Sequence, residues 1–585
     1  MFKLIQYAKP YYLQIVLGSF FKFMEAVLEL FLPLLLARLI DNGINQNDPT
    51  YIIRIGWMML ALSVTGLVFA ISCQYFSSIS AQGWGTILRN IVFKKIQSLS
   101  HKEIDQFGTS TLITRTTNDV NQVQLALAMT IRLALRAPFL GIGALLLSFY
   151  INPTLSLIFL ILLPIFALTV YLIMTRTIPL YKEVQKKVDR LTEIVGENLS
   201  GVRVIRAFAK SRYEQKRSTD ISDQLAKAYI RVNTLSALVS PVTTLIMNAG
   251  IIAILYIGAR QVNQGFMLQG EVLALINYIS QMLSALMIAA NLIVIYTKSS
   301  ASATRINEIL DTEPSILKNQ EKASGAAVST TDSDTVLSFD QVSFRYDKDG
   351  GKSLENITFQ VKKGTTLGII GATGSGKSTL IQLIPRFYDV TEGQVDVFGK
   401  NIKTYNVGDL HDEIRFVSQN ERLMAGTVES NLRWGKADAT DEELWRALEI
   451  AQIADYVKAS VDQLQLEVKE GGNNFSGGQR QRLAIARALV GEPAMIILDD
   501  SLSALDYATE SKLRNQLLEY FEQTALIIVS QRISSIQSAD HILVLENGKM
   551  DEQGTHDSLV ETSEVYRNIY TSQTSGPETK EGDTR

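Results

Sequence analysis

At 585 residues the chain is too long for a single hydrophobic core and should fold as several units. Its 56 basic and 59 acidic residues leave a net charge of −3, which argues against a nucleic-acid partner. The one cysteine, Cys73, lies in an apolar run and excludes a disulfide framework or a cysteine metal site. These averages hide a division, because roughly the first 300 residues are strongly apolar and the rest has ordinary soluble composition.

Met1–Pro10 leads into a long apolar stretch with no small-residue cleavage site, the pattern of an uncleaved first membrane segment rather than a signal peptide. A bilayer-spanning helix takes about 20 mostly apolar residues. Trp57–Phe76, Thr154–Met174, Val232–Ala259 and Val272–Thr297 meet this with no charged side chain. Leu13–Ala37, carrying Lys22, Glu25 and Glu29, and Leu133–Ile151, carrying Arg136, are less pure and bring the expected number of spans to six. Between spans the chain twice runs about 50 residues without a soluble-domain pattern. In the first such run Ile87, Leu88, Ile91, Val92, Ile96 and Leu99 keep helical spacing, so these stretches read as helices continuing beyond the membrane. Residues 82–126 carry 5 Lys and Arg and residues 175–231 carry 13, whereas the opposite loops have only Arg38, Arg54 and Arg260 near span ends. That asymmetry places both arms and both termini in the cytoplasm.

Lys22, Glu25 and Glu29 fall at i, i+3 and i+7 on one helical face. Two readings stand. Either Lys22 and Glu25 satisfy one another against neighbouring helices, or the face lines a cavity where Glu25 or Glu29 attracts cationic cargo. Asn277, Gln281 and Asn291 can add polar contacts there or tie helices together.

Lys318–Thr335 is rich in Ser, Thr, Ala and Asp and reads as a linker. Beyond it strand-like and helix-like runs alternate, as a parallel sheet with covering helices demands. Thr366–Ile370, Gly371–Ser378 and Thr379–Leu383 read as strand, loop and helix, and the loop fits G-x-x-x-x-G-K-S. Backbone N–H groups of such a loop wrap phosphates, its lysine reaches the terminal ones, and its serine hydroxyl serves Mg²⁺. Gly371, Thr373, Gly374, Ser375, Gly376, Lys377, Ser378 and Thr379 are therefore candidate contacts for ATP. Upstream, Tyr346 can stack on an adenine or simply pack on the sheet. Gln419 follows an apolar run and can meet Mg²⁺ or the attacking water, and Met495–Leu498 is a buried strand ending in Asp499, placed to hold Mg²⁺ through water. Ser476, Gly477, Gly478 and Gln479 open a further helix and make a second anion-binding end. Two such ends on one chain invite a sandwich in which each serves a different nucleotide across a dimer.

The phosphate loop, Gln419, Ser476–Gln479, Asp499 and Ser503–Asp506 occur together and in order, and this set resembles the nucleotide-binding domain of ABC transporters. With six spans before it, the chain is similar to an exporter-type half-transporter. The resemblance implies an α-helical six-span membrane domain with long cytoplasmic extensions over 1–310, a linker over 311–336, an α/β P-loop ABC ATPase domain over 337–574, and a flexible tail over 575–585. It adds Asp506 to the nucleotide contacts, places coupling segments at Phe107–Val120 and Glu197–Phe208, and makes Glu470–Gly472 the segment that receives them. It also implies two departures. The family's catalytic glutamate is replaced by Asp500, one methylene shorter and so withdrawn by about 1.5 Å. Its switch histidine is replaced by Gln531, which keeps hydrogen bonding but cannot carry a proton's charge. The implied protein binds ATP and Mg²⁺ but hydrolyses poorly at its own site. It pairs with a second half-transporter that supplies the glutamate, and it moves amphipathic, drug-like compounds out of the cytoplasm or inner leaflet. Lipid flipping and a nucleotide-gated channel or regulator are the alternatives.

Overall fold

The computed structural model describes residues 2–316, 334–347, 350–503, 505–520 and 523–574. Most of the expected linker, the whole expected tail and Ala504 thus lie outside the described residues. The chain divides into two compact units, one of residues 1–97 and 109–312, the other of residues 98–108 and 313–585.

The first unit is helical. Five helices are long and apolar enough to cross a membrane: Pro49–Ser98, Thr109–Ile151, Pro153–Ser200, Ser211–Asn263 and Gln269–Asp311. Each runs well past a bilayer's thickness, as the helical spacing around Ile87–Leu99 predicts. Tyr12–Arg38, expected as the first span, is a continuous helix of 27 residues but is not among the five. Its three charges interrupt the apolar run. Trp57, Leu60, Leu67 and Ile71 stand exposed along Pro49–Ser98, a surface that water does not favour. Gln269–Asp311 is the most buried of the five. Tyr278 Oη donates to Leu30 O at 2.7 Å, and Gly270 N–H donates to Asp41 Oδ1 at 2.7 Å.

The charged residues predicted inside this unit find partners. Lys22 Nζ lies 2.8 Å from Glu25, and Arg136 Nη2 lies 2.8 Å from Glu29 on the neighbouring helix. Asn277 Nδ2 donates to Leu273 O of its own helix at 2.9 Å, whereas Gln281 Oε1 is buried with no partner among the described residues.

The second unit opens with a surprise. The short helix His101–Phe107 belongs to it, started by a capping box between Ser100 and Glu103 and ended at Gly108. His101 stacks on Phe387 with centroids 4.3 Å apart, and Tyr388 Oη donates to Asp105 Oδ2 at 2.5 Å. The expected coupling segment Phe107–Val120 therefore begins where this docked helix ends, and most of it continues into the membrane unit. Periodicity alone missed the boundary, because a capping box restarts a helix without breaking its apolar spacing. Glu197–Phe208 holds the short helix Val202–Ala207, which buries none of its residues.

Strands β1 (Thr335–Phe344), β2 (Leu354–Lys362), β4 (Glu392–Val397) and β5 (Lys400–Asn401) form an antiparallel sheet in the order β2-β1-β4-β5. The main sheet takes β3 (Thr366–Gly371), β6 (Ile414–Val417), β9 (Met495–Asp499), β10 (Ala525–Val529), β11 (His541–Glu546) and β12 (Lys549–Gly554). Its order is β12-β11-β3-β10-β9-β6, parallel except for β12, while β7 (Gly426–Thr427) and β8 (Glu467–Val468) pair separately. Every residue of β3, β9 and β10 is buried, so these strands read as unbroken apolar runs. Alternation sorts their side chains onto two cores: Ile496, Leu498, Leu526 and Ile528 pack on one side, Met495, Ile497, Ala525 and Ile527 on the other. Register sets Ile369 beside Val529 and Val529 beside Asp499, so three carboxyl ends open on one edge of the sheet.

Candidate functional site

A cavity of 490 Å³ lies along that edge. The loop after β3 forms its floor, and the helix Lys377–Leu383 points its N-terminus into it. Gly376 precedes that helix at φ +102°, a left-handed conformation that side chains resist. At Gly374, φ +83°, nothing stands within 4 Å of where a Cβ would be, so the backbone is open to an approaching anion. Thr373, Gly374, Gly376, Lys377, Ser378 and Thr379 all line the cavity. Gly371 closes β3, and Ser375 is buried beneath the loop, its carbonyl accepting from Gly548 N–H at 3.0 Å.

The Lys377 ammonium is buried and donates to Gly371 O at 2.7 Å and Ala372 O at 2.9 Å. Burial pulls its pKa down, while Asp500 and Asp499 pull it back up. Ser378 hydrogen-bonds Asp499, and Gln419 Nε2 donates to Asp500 Oδ2 at 3.1 Å. Asp500 sits at φ +47°, which aspartate tolerates better than most residues, and its carboxylate also accepts from the Gln531 backbone N–H. Burial raises the pKa of both aspartates, and for Asp499 the neighbouring Asp500 adds to the shift.

These residues fit the groups the motifs imply. Loop amides at a helix N-terminus, with a lysine among them, suit a nucleotide's phosphates. One carboxylate, one hydroxyl and one side-chain amide suit Mg²⁺, which keeps phosphate and water among its ligands and needs no all-protein cage. Among the described residues no group of three His, Cys, Asp or Glu side chains gathers to hold a metal by itself.

Other candidates lie elsewhere. Tyr346 stands over the loop helix, its hydroxyl 3.2 Å from Thr379 Oγ1, with its ring edge-on to Tyr388. Ser476, exposed, caps the helix Gly477–Leu489 in a reciprocal box with Gln479, and it and the half-buried Gly478 both lie outside the cavity. Gly477 lines a second groove of 880 Å³ together with Gln419, Glu470 and Gly471. Asp506 caps the helix Tyr507–Tyr520 through Thr509, whose backbone N–H and hydroxyl hold its pKa below the usual range.

Sequence reasoning missed Lys352, Asn547 and Gly548, which complete the cavity wall. Asn547-Gly548 is the tight turn between β11 and β12, a dipeptide that signals such a hairpin by itself. Gln573 was equally hidden: it accepts from Ile533 N–H at 2.9 Å and donates to Gln531 O at 2.7 Å, clamping the loop that presents Gln531.

Asp499→Asn tests the electrostatics. A carboxyl whose folded pKa is raised destabilises the fold as pH climbs through that value, and the cost fades as pH falls below the unfolded value. At pH 7 the nucleotide-free Asn variant is therefore expected to melt above wild type, yet to lose the stabilisation that Mg²⁺-ATP confers. A lower melting point, or an undiminished Mg²⁺-ATP shift, would contradict this account.

Fold and site together define a P-loop ATPase domain carried on a helical membrane unit. The family of the ABC transporter transmembrane region matches residues 15–286, and the ABC transporter family matches residues 354–503. The chain is 35% identical over 571 residues to an uncharacterized ABC transporter ATP-binding protein of Mycobacterium tuberculosis, covering 97% of each. It is 36% identical to the uncharacterized ABC transporter ATP-binding protein YfiB of Bacillus subtilis, covering 98% of each. A multidrug resistance ABC transporter ATP-binding and permease protein of Lactococcus lactis is 29% identical over 98% of this chain and 95% of its own length. Among solved structures, a bacterial Atm1-family ABC exporter with ATP bound superposes with a TM-score of 0.79 at 21% identity, over 98% of this chain and all of that one. The chain belongs to the ABC transporter family, with transmembrane and ATP-binding domains fused in one polypeptide and the fold of an exporter.

Proposed function

We propose that this chain is the hydrolytically impaired half of a heterodimeric ABC exporter that moves amphipathic compounds out of the cytoplasm or inner leaflet. The observation that carries the reading is the convergence of Asp500 and Gln531 on the cavity that Lys377 and Ser378 line. Asp500 is tethered by Gln419 and by the Gln531 main chain, which hold its short carboxylate in place. Ser378, Gln419 and, through water, Asp499 would hold Mg²⁺ with ATP, and Tyr346 would offer its ring to the adenine. Ser476, Gly477, Gly478, Gln479 and Asp506 serve a facing chain's nucleotide, and their positions outside this cavity support that division. When bound, ATP supplies the energy of closure and hydrolysis. This chain's residues bind it, exclude water and hold the nucleotide domains together while the partner's site turns over.

In this reading Tyr12–Arg38 is the first span and brings their number to six. The Lys22–Glu25 and Glu29–Arg136 pairs neutralise four charges and lower the cost of placing that helix in lipid. The basic arms support a cytoplasmic side for both termini and the ATPase domain. The Lactococcus relative favours drug-like cargo.

The test is ATPase activity in lipid, measured on the purified chain and again after co-expression with the half-transporter encoded beside it. Activity confined to the pair, and abolished by removing the partner's catalytic glutamate, is expected. Full activity of the chain alone would make Asp500 competent and the protein a homodimer.

A further inference from the structure

Five ionisable side chains lie midway along helices of the membrane unit: Lys22, Glu25 and Glu29 on Tyr12–Arg38, and Arg132 and Arg136 on Thr109–Ile151. Two ion pairs, each at 2.8 Å, absorb four of them. Arg132 is left over. Its Nε donates to Ser77 Oγ at 2.9 Å and its Nη2 to Ser78 Oγ at 2.8 Å, both neutral hydroxyls. Among the described residues no carboxylate comes within ion-pair distance of it. The Cys73 thiol lies in electrostatic reach of Lys22, Glu25 and Arg132, so Arg132 stands near the first of these pairs.

A guanidinium has five N–H donors, and Arg132 commits two. Arg136, one helical turn further, gives both of its bonds to Glu29 from Nη2, and its Nε is buried without a partner among the described residues. Arg132 also sits on the π-helical turn Thr130–Ala134, a widened turn of the kind that recurs at functional positions. Unpaired cations are costly at membrane depth and are kept where something anionic visits them. Charge-assisted, two-pronged contacts make arginine well suited to carboxylates and phosphates.

We infer that Arg132, with Arg136 beside it, receives the oxyanion of an amphipathic cargo molecule, a carboxylate or phosphate at the head of an apolar tail. The inference rests on the reading of the chain as an exporter of amphipathic compounds and narrows its cargo. It also runs against the cationic-cargo reading, one of the two that the sequence left open, since Glu25 and Glu29 each face a cation and hold no charge open for cationic cargo.

The experiment uses the full-length protein in phosphatidylcholine nanodiscs, with empty discs as blank. The probes are dansylaminoundecanoate and its trimethylammonium counterpart, which share a tail and differ in the charge of the head. Saturable binding of the carboxylate alone is expected, weakened by about tenfold or more in Arg132→Gln and recovered to within about threefold in Arg132→Lys. ATP binding by each variant, unchanged, shows that the chain is folded. Replacing phosphatidylcholine by phosphatidylglycerol displaces the carboxylate if lipid headgroups are the natural occupant and leaves it bound if a free amphiphile is. Unchanged carboxylate binding in Arg132→Gln, or equal Arg132-dependent binding of the cation, would overturn the site. Arg132-dependent binding with no response of ATPase or transport in the co-expressed pair would leave the site standing and remove the export reading instead.

Discussion

Asp500→Glu combined with Gln531→His is expected to raise ATP turnover by this chain alone about a hundredfold, whereas Asp500→Glu by itself changes it less than about threefold. The argument is geometric. Asp500 is held at φ +47° with Gln419 on one carboxylate oxygen and the Gln531 backbone N–H on the carboxylate. A glutamate in its place reaches about 1.5 Å further, enough to restore a water-positioning carboxylate where misplacement of that order costs about a hundredfold. Gln531 still presents an amide where a protonatable ring would face the terminal phosphate, so the single change leaves the second defect intact. Single-turnover kinetics of the purified chain and both variants decide the matter. A single Asp500→Glu variant with full activity would refute the two-defect account.

The second large effect concerns Lys377. Lys377→Ala removes an ammonium that is buried at the cavity floor and bridges the Gly371 and Ala372 carbonyls. Charge-assisted hydrogen bonds contribute about 1.5–3 kcal/mol each, so ATP affinity at this site should fall by about ten- to a hundredfold. The two carbonyls also lose their donor, so the loop loosens as well. In the assembled transporter, however, transport should fall less than when the matching lysine of the partner is changed, because this site holds nucleotide and the partner's turns it over. Equilibrium binding of a fluorescent ATP analogue, with transport assayed for both variants, checks both statements. Equal losses of transport would mean that the two sites share the work.

What was legible in the sequence was local. Gly371–Ser378 declares a phosphate loop because glycine freedom, a lysine and a hydroxyl are needed within eight consecutive positions. Met495–Asp499 declares a buried parallel strand because a strand covered on both faces has no polar alternation to show. Membrane helices declare themselves by length and apolarity, and the interruption at Lys22, Glu25 and Glu29 is why Tyr12–Arg38 alone falls short by that measure. The departures at Asp500 and Gln531 were visible for the same reason, as single letters inside recognisable runs.

Tertiary structure decided what depends on pairing across long separations. Glu29 and Arg136 are 107 positions apart, and nothing in either helix announces that they meet or that Arg132 is thereby left with two serines. Asn547 reaches the cavity only because β11 lies beside β3 in the sheet, and Lys352 reaches it from the loop ahead of β2. Docking of His101–Phe107 follows from Phe387 and Tyr388, which no periodicity connects to it. Local pattern determines which face of an element is apolar and which loop can hold a phosphate. Which faces then meet, and which charge is left without a counter-ion, is set by packing the elements together, where burial and desolvation choose among pairings that the sequence allows equally.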